Sequence, residues 1–413
     1  MKNLRPLAAV LWACVSLTAV QAAAGQVSEQ KLSPSTPGLY YGEGMAVSQG
    51  YLFVGSEQGY SPESTNGSNG YVDVYSRQAA GWEYDSTVTA FGLGPLLPNG
   101  SDHFGNAVAV DGNWMAVAGH VANSNIESIY VFQRINGTWV ASQRLDRPDH
   151  GTGPSVNETV VMRSGHLLVA AEDFDDIGDV QGFRVLAYEL QGGSFILLGE
   201  LGRPLQQALD GFGSSLAFVG DRLAVGAPGY VDESGKRGMV FTYVFNDAQW
   251  VHLSLLQPDG VSPLSFGQSL AECFGGQLVV GVPNTDNSTS GSSLVGYLAT
   301  YMPSEVGWSE GPTVQSTDAL PPKSFGSSIG CDGGVLGVAT RGANVAYRFI
   351  FAQGAWQQSD AFATSDPATA GFAGPIVVSA RDVLVADMFQ GSTTPVGAVY
   401  AFDDDALFAN GFE

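Results

Sequence analysis

The stretch FGSSLAFVGDRLAVGAPG, residues 212–229, is one copy of a pattern that recurs along the chain. FGNAVAVDGNWMAVAGH opens at Phe104 and FGQSLAECFGGQLVVGVP at Phe266. FGSSIGCDGGVLGVAT opens at Phe325, FAGPIVVSARDVLVAD at Phe372 and YGEGMAVSQGYLFVGSE at Tyr41. A worn copy, VNETVVMRSGHLLVAAE, starts near Val156. Seven copies about 55 residues apart mark a propeller or a solenoid.

Each copy carries two more strand-like segments. The third is short and alternating, as in YVDVYS (71–76), IYVFQR (129–134) and GMVFTYVF (238–245). The fourth opens on an aromatic: Trp82, Trp139, Phe195, Trp250, Trp308 or Trp356. Runs rich in Val, Tyr and Phe between glycine turns read as strands. Four antiparallel strands repeated radially make a propeller blade, which buries its faces only against its neighbours. The expected fold is therefore all-β: seven blades across residues 25–402. The seventh copy, after GAVYAF, lacks a fourth strand. Residues 26–34 (VSEQKLSP from Val27) resemble VASQRLDRP (140–148), the fourth strand of the second copy. They are expected to pair into the last blade and close the ring, because an open ring leaves unpaired edges. Composition agrees: 54 glycines and 44% hydrophobic residues are a turn-rich chain with a core, not a disordered one.

The repeated FG…LAVGAP residues resemble the FG-GAP repeat of the integrin α-subunit propeller and of many exported bacterial proteins. The resemblance covers nearly all of residues 26–402 and implies a seven-bladed propeller, with adhesion, lectin, scaffold and enzyme roles all open. Calcium-binding members carry a D-x-D-x-D-G loop between the first and second strands. Here that link is as short as VGDR (219–222) or SARD (379–382), too short for a cage of oxygen ligands. The nearest alternative calcium site is EDFDDIGD (172–179), with Asp173, Asp175, Asp176 and Asp179. Its plainer reading is a solvated turn.

The N-terminus combines Lys2 and Arg5 with an apolar run and an A-x-A site, which reads as a signal peptide over residues 1–24. A lipoprotein box ending at Cys14 is the rival reading. The expected location is secreted, periplasmic or at the cell surface, with no membrane-spanning segment. The net charge of −23 and the lack of any basic cluster argue against nucleic acid. Cys273 and Cys331 fall at near-equivalent places on the first strands of successive copies. A disulfide would staple two blades; two buried free thiols are the alternative, and the sequence reading leans to them. Residues 403–413 form a tail ending in GFE.

No catalytic motif stands out. GSSIG (326–330) matches G-x-S-x-G, but Ser328 occupies the slot of Ser215 in another copy, so the repeat accounts for it. No histidine spacing suits zinc. The links between second and third strands and between blades are long, and both leave from one face; long loops on a rigid scaffold carry function. The candidate ligand contacts there are Tyr60, Asp102, His103, Asp149, His150, Asp210, Tyr230 and Asp286. The expected function is a non-catalytic adhesion or scaffold module binding a protein or glycan through that face. The alternatives are a polysaccharide-active enzyme with carboxylates in the central funnel, recognisable by acidic or aromatic groups converging at the axis, and a calcium-stabilised scaffold.

Overall fold

The computed structural model describes residues 28–403 apart from 37, 60–68, 91–102, 121–126, 147–158, 175–179, 208, 234, 236, 259–264, 284–294, 306, 319–323, 342, 367–371, 381 and 389–396. The strands form seven four-stranded antiparallel sheets, and in six of them the strand order is the chain order. The first strand of each blade faces the axis. These inner strands are Gly38–Ser48, Val108–Asp111, Thr159–Arg163, Ser215–Val219, Ser269–Cys273, Phe325–Asp332 and Phe372–Val378 in blades 1 to 7. The worn copy near Val156 and the Phe372 copy thus build full blades. This is a seven-bladed β-propeller.

The seventh sheet contains both ends of the described chain. Ser28–Leu32 pairs with Ala398–Asp403, from Ser28 opposite Asp403 to Leu32 opposite Val399. The ring is closed by the N-terminal strand. The likeness of VSEQKL to VASQRL has a concrete basis. The Gln143 side-chain amide brackets the backbone of Phe195 in the next blade, donating to its carbonyl at 3.0 Å and accepting from its N–H at 2.8 Å. Gln30, at the matching place, does the same to Trp82 at 2.7 and 2.8 Å.

The apolar side chains gather into seven clusters, and each lies between two neighbouring blades. The opening aromatic of the repeat is the wedge: Tyr41, Phe104, Phe212, Phe266, Phe325 and Phe372 are all buried. Burying one such ring contributes about 2–3 kcal/mol. The glycines of the pattern let backbones meet. A Cβ on Gly226, in the second strand of blade 4, would sit 2.1 Å from the carbonyl oxygen of Gly267 in blade 5. Ser215 Oγ donates to that same oxygen at 2.7 Å, and Ser269 repeats the contact with Gly326 one blade on. Ser328, in the same slot, accepts from the Ile376 N–H at 3.3 Å.

At the opposite, tight-turn end, the fourth-strand aromatic of one blade meets the residue opening the second strand of the blade before it. Trp82 Nε1 donates to Asp382, and Trp356 Nε1 to Gln277. Trp114 meets Phe195 edge-on, His166 meets Trp250, and Arg222 lies over Trp308. At the closure junction Arg77 adds ion pairs to Asp382 and Asp403.

Cys273 and Cys331 are bonded to each other, with Cα atoms 5.4 Å apart. This corrects the leaning toward free thiols. Inner strands converge toward the axis, which brings equivalent positions of adjacent blades within bridging range.

Candidate functional site

At the long-link end of the axis the inner strands enclose a cavity of about 450 Å³. Its rim is supplied by the residue that follows the FG pair in each copy. Glu43, Asn106, Ser214, Gln268 and Ser327 hold that third position in blades 1, 2, 4, 5 and 6, and all five line the mouth. Two residues further on, Met45, Val108, Val160, Leu216 and Leu270 form an apolar floor. The alternation of side chains along a strand gives this layering: a polar ring, a layer of small residues, then an apolar collar.

The start of the inner strand is bulged in blade 1, as it is in blades 6 and 7. Between the pairs Tyr41–Ser56 and Met45–Val54 the inner strand advances four residues against two on its partner. Such a bulge bends the strand and re-aims its side chains. Gly42 makes it possible, with φ of +93° and no room for a Cβ beside Ala386. The side chain carried into the mouth is Glu43, the only acid that lines the cavity among the described residues.

Burial pushes the Glu43 carboxyl up to about 7, and the charge of Glu57 adds to the rise. Arg341 and His103 oppose it by their positive charge. Groups from blades 1, 2 and 6 thus act together on Glu43. Glu57 is nearly buried, and its Oε1 lies 3.5 Å from His103 Nδ1. His103 sits just before Phe104 with φ of +48°, a conformation a non-glycine residue adopts at some cost. Arg341 follows the second strand of blade 6, where its N–H donates to Ser327 Oγ at 2.9 Å. The site therefore pairs a carboxyl that titrates near neutrality with a cation and a second acid, above an apolar floor.

Of the residues expected to bind ligand, His103 joins this constellation. Asp210 is fully buried, ion-paired with Arg203 at 2.6 Å and accepting from the Phe212 N–H. Tyr230 is buried against Phe241. Tyr60, Asp102, Asp149, His150 and Asp286 lie outside the described residues, as do Asp175, Asp176 and Asp179. Asp173 belongs to the strand His166–Phe174, opposite Gly182, and its side chain is outside the description. No group of three His, Cys, Asp or Glu close enough to hold a metal ion occurs among the described residues. No helix among them is long and apolar enough to cross a membrane.

Glu43, Glu57 and Arg341 were not among the residues singled out from the sequence. One signal was present. Aligned by their opening aromatic, the clear copies carry different polar residues at the third position, and Glu43 is the acid among Glu43, Asn106, Ser214, Gln268 and Ser327.

No protein-family model matches the chain, and no curated protein does. Solved structures do. A candidate 6-phosphogluconolactonase from Bacteroides uniformis superposes with a TM-score of 0.52 at 13% identity, over 78% of this chain and 85% of that one. A second, from Bacteroides fragilis, gives 0.50 at 12% identity, over 80% and 93%. At such identity the likeness is one of fold. Both proteins are named for an enzymatic activity, and the expectation of a non-catalytic adhesion or scaffold module is withdrawn on that finding.

Proposed function

We propose that this protein is a hydrolase of small cyclic esters, with sugar lactones the first class to test, and that Glu43 is its general base. The observation that carries the reading is a carboxyl poised at about 7 at the rim of the axial cavity. A catalytic proton carrier is most effective when its pKa lies near the working pH. The names of the two solved propellers support the choice of substrate class.

The chemistry follows from the constellation. Glu43, as carboxylate, takes a proton from a water molecule as that water's oxygen bonds to the lactone carbonyl carbon. Negative charge grows on the carbonyl oxygen, where the Arg341 guanidinium offsets it. The ring C–O bond then breaks, and the proton on Glu43 passes to the departing alkoxide oxygen. The product is the open hydroxy acid, and Glu43 returns to its starting state. Asn106, Ser214, Gln268 and Ser327 present donors and acceptors for substrate hydroxyls, and the apolar floor takes a C–H face of the ring. His103, held against Glu57, keeps a positive or polarisable group beside Glu43.

The test is a panel of five- and six-membered sugar lactones, with and without a phosphate, followed by proton release. Turnover above spontaneous opening that vanishes in Glu43→Gln supports the reading. No turnover of any lactone overturns it.

Three finer readings belong with this one. The repeats are FG-GAP-like in residue pattern, supported by the buried opening aromatic and the close glycine contacts between blades. Residues 1–24 are read as a leader that exports the protein, which N-terminal sequencing of the secreted or periplasmic fraction would check. Calcium at 172–179 stays a proposal, for which a melting shift between calcium and chelator is the measure.

A further inference from the structure

The axis has a second opening, at the tight-turn end. The cavity there measures about 330 Å³, and Met45, Val108 and Val160 line both it and the upper one, forming a collar between them. Its walls differ in kind from the polar rim above. They are aliphatic, thioether and aromatic, with Val47, Val110, Val161 and Met162 among them. The described lining holds a single cation, Arg163, and a single carboxylate, Glu272.

The pair is built, not incidental. Arg163 Nη1 lies 2.6 Å from Glu272 Oε2, and the guanidinium carbon is 5.6 Å from the centre of the Phe218 ring. Glu272 is fixed from its other side, where Oε1 accepts from the Gly220 N–H at 2.7 Å. One edge of the guanidinium is thus occupied, and its remaining N–H donors stay at the mouth, where its side chain is 37% exposed. A guanidinium keeps five donors in a fixed fork, so one carboxylate does not exhaust it. The wall beside Glu272 is braced as well, since Cys273 is bonded to Cys331, a lining residue.

From this arrangement we infer that the lower axial cavity binds small amphipathic carboxylates, the apolar tail against the collar and the carboxylate on Arg163. The size suits a chain of about eight carbons or a one-ring aromatic acid, at the lower end of ordinary ligand pockets. The neighbouring Glu272 weakens any incoming anion, so the site as it stands is tuned to modest affinity.

Titration calorimetry of the full-length mature protein tests this with octanoate, octanol and acetate. Octanoate is expected to bind, octanol more weakly and acetate not measurably. Arg163→Met should weaken octanoate by at least about tenfold, the loss of a hydrogen bond to a charged group. Glu272→Gln should tighten it, because the amide oxygen can still accept from Gly220 while the repelling charge is gone. Ala46→Leu, which fills the cavity from a wall position absent from the upper one, should abolish binding. Octanoate binding must survive Glu43→Gln and Arg341→Met, so the outcome is independent of the proposed hydrolase site. No heat with octanoate, equal affinity for octanol, or binding unchanged in Arg163→Met would overturn the inference.

Discussion

Six inner strands, those of blades 1 to 6, line both ends of the axis, yet the two ends are built on opposite principles. The upper end is polar and uneven: five blades contribute Glu43, Asn106, Ser214, Gln268 and Ser327 at the third position, and only blade 1 places an acid there among them. The lower end is apolar and braced, with tight turns, interblade aromatic contacts and a disulfide. The difference teaches where a propeller can vary. Third-position side chains line the mouth and bond at most within their own blade, as Ser214 does to the Gly211 carbonyl, so exchanging them disturbs little packing between blades. Residues that open the second strand at the other end touch the next blade, so each change there must be matched by its partner, as in Asp382 with Trp82 and Gln277 with Trp356.

If the ends divide chemistry from stability, substitutions should split accordingly. The largest effect is expected at the upper end. Glu43→Gln should lower lactone turnover by roughly 10²–10⁴-fold, the usual contribution of a general base, and steady-state rates measure it. At the lower end, replacing Cys273 and Cys331 by serine should cost about 2–4 kcal/mol in denaturant unfolding and leave turnover within a factor of about two. A large fall in turnover there would break the division.

Glu43 should also weaken the fold it serves. Its folded-state pKa is raised from 4.5 to about 7, so between those values the native state holds a proton that the unfolded chain has released. Stability therefore falls as pH rises through that window and levels off above it. Glu43→Gln removes the effect and should raise stability above pH 7 by about 1–2 kcal/mol, discounted for partial exposure. Unfolding at pH 5 and pH 8 checks it: the gain should be nearly absent at the lower pH. The smallest expected effect is that of Glu57→Gln. Removing the second cause of the raised Glu43 pKa should move the inflection of the pH–rate profile to lower pH by less than about one unit.

The fold was legible because its determinants repeat. A buried aromatic, a glycine under a neighbouring carbonyl and a serine on that carbonyl recur at one spacing, and comparing copies exposes them. Even the closure was readable, because Gln30 performs the task of Gln143. The site was much less legible. Its residues come from blades 1, 2 and 6 and meet only through the ring, so no local motif joins them. Glu43 also sits on a bulge, shared with blades 6 and 7, that spacing alone does not reveal. His103 was singled out for lying in a long link, whereas its neighbours are two acids on the first and second strands of blade 1. Asp210 shows the converse. An acid beside a repeat opening reads as a loop residue, but here it closes a buried pair with Arg203.

Glu43 at the upper mouth is the residue on which the chemistry depends. The most direct measurement is the pH–rate profile of lactone opening by the wild type and by Glu43→Gln. The account predicts a catalysed rate that rises to a plateau through an inflection near pH 7 in the wild type and is absent in the variant. A wild-type profile that merely tracks spontaneous opening, or a variant that keeps the same inflection, would contradict it.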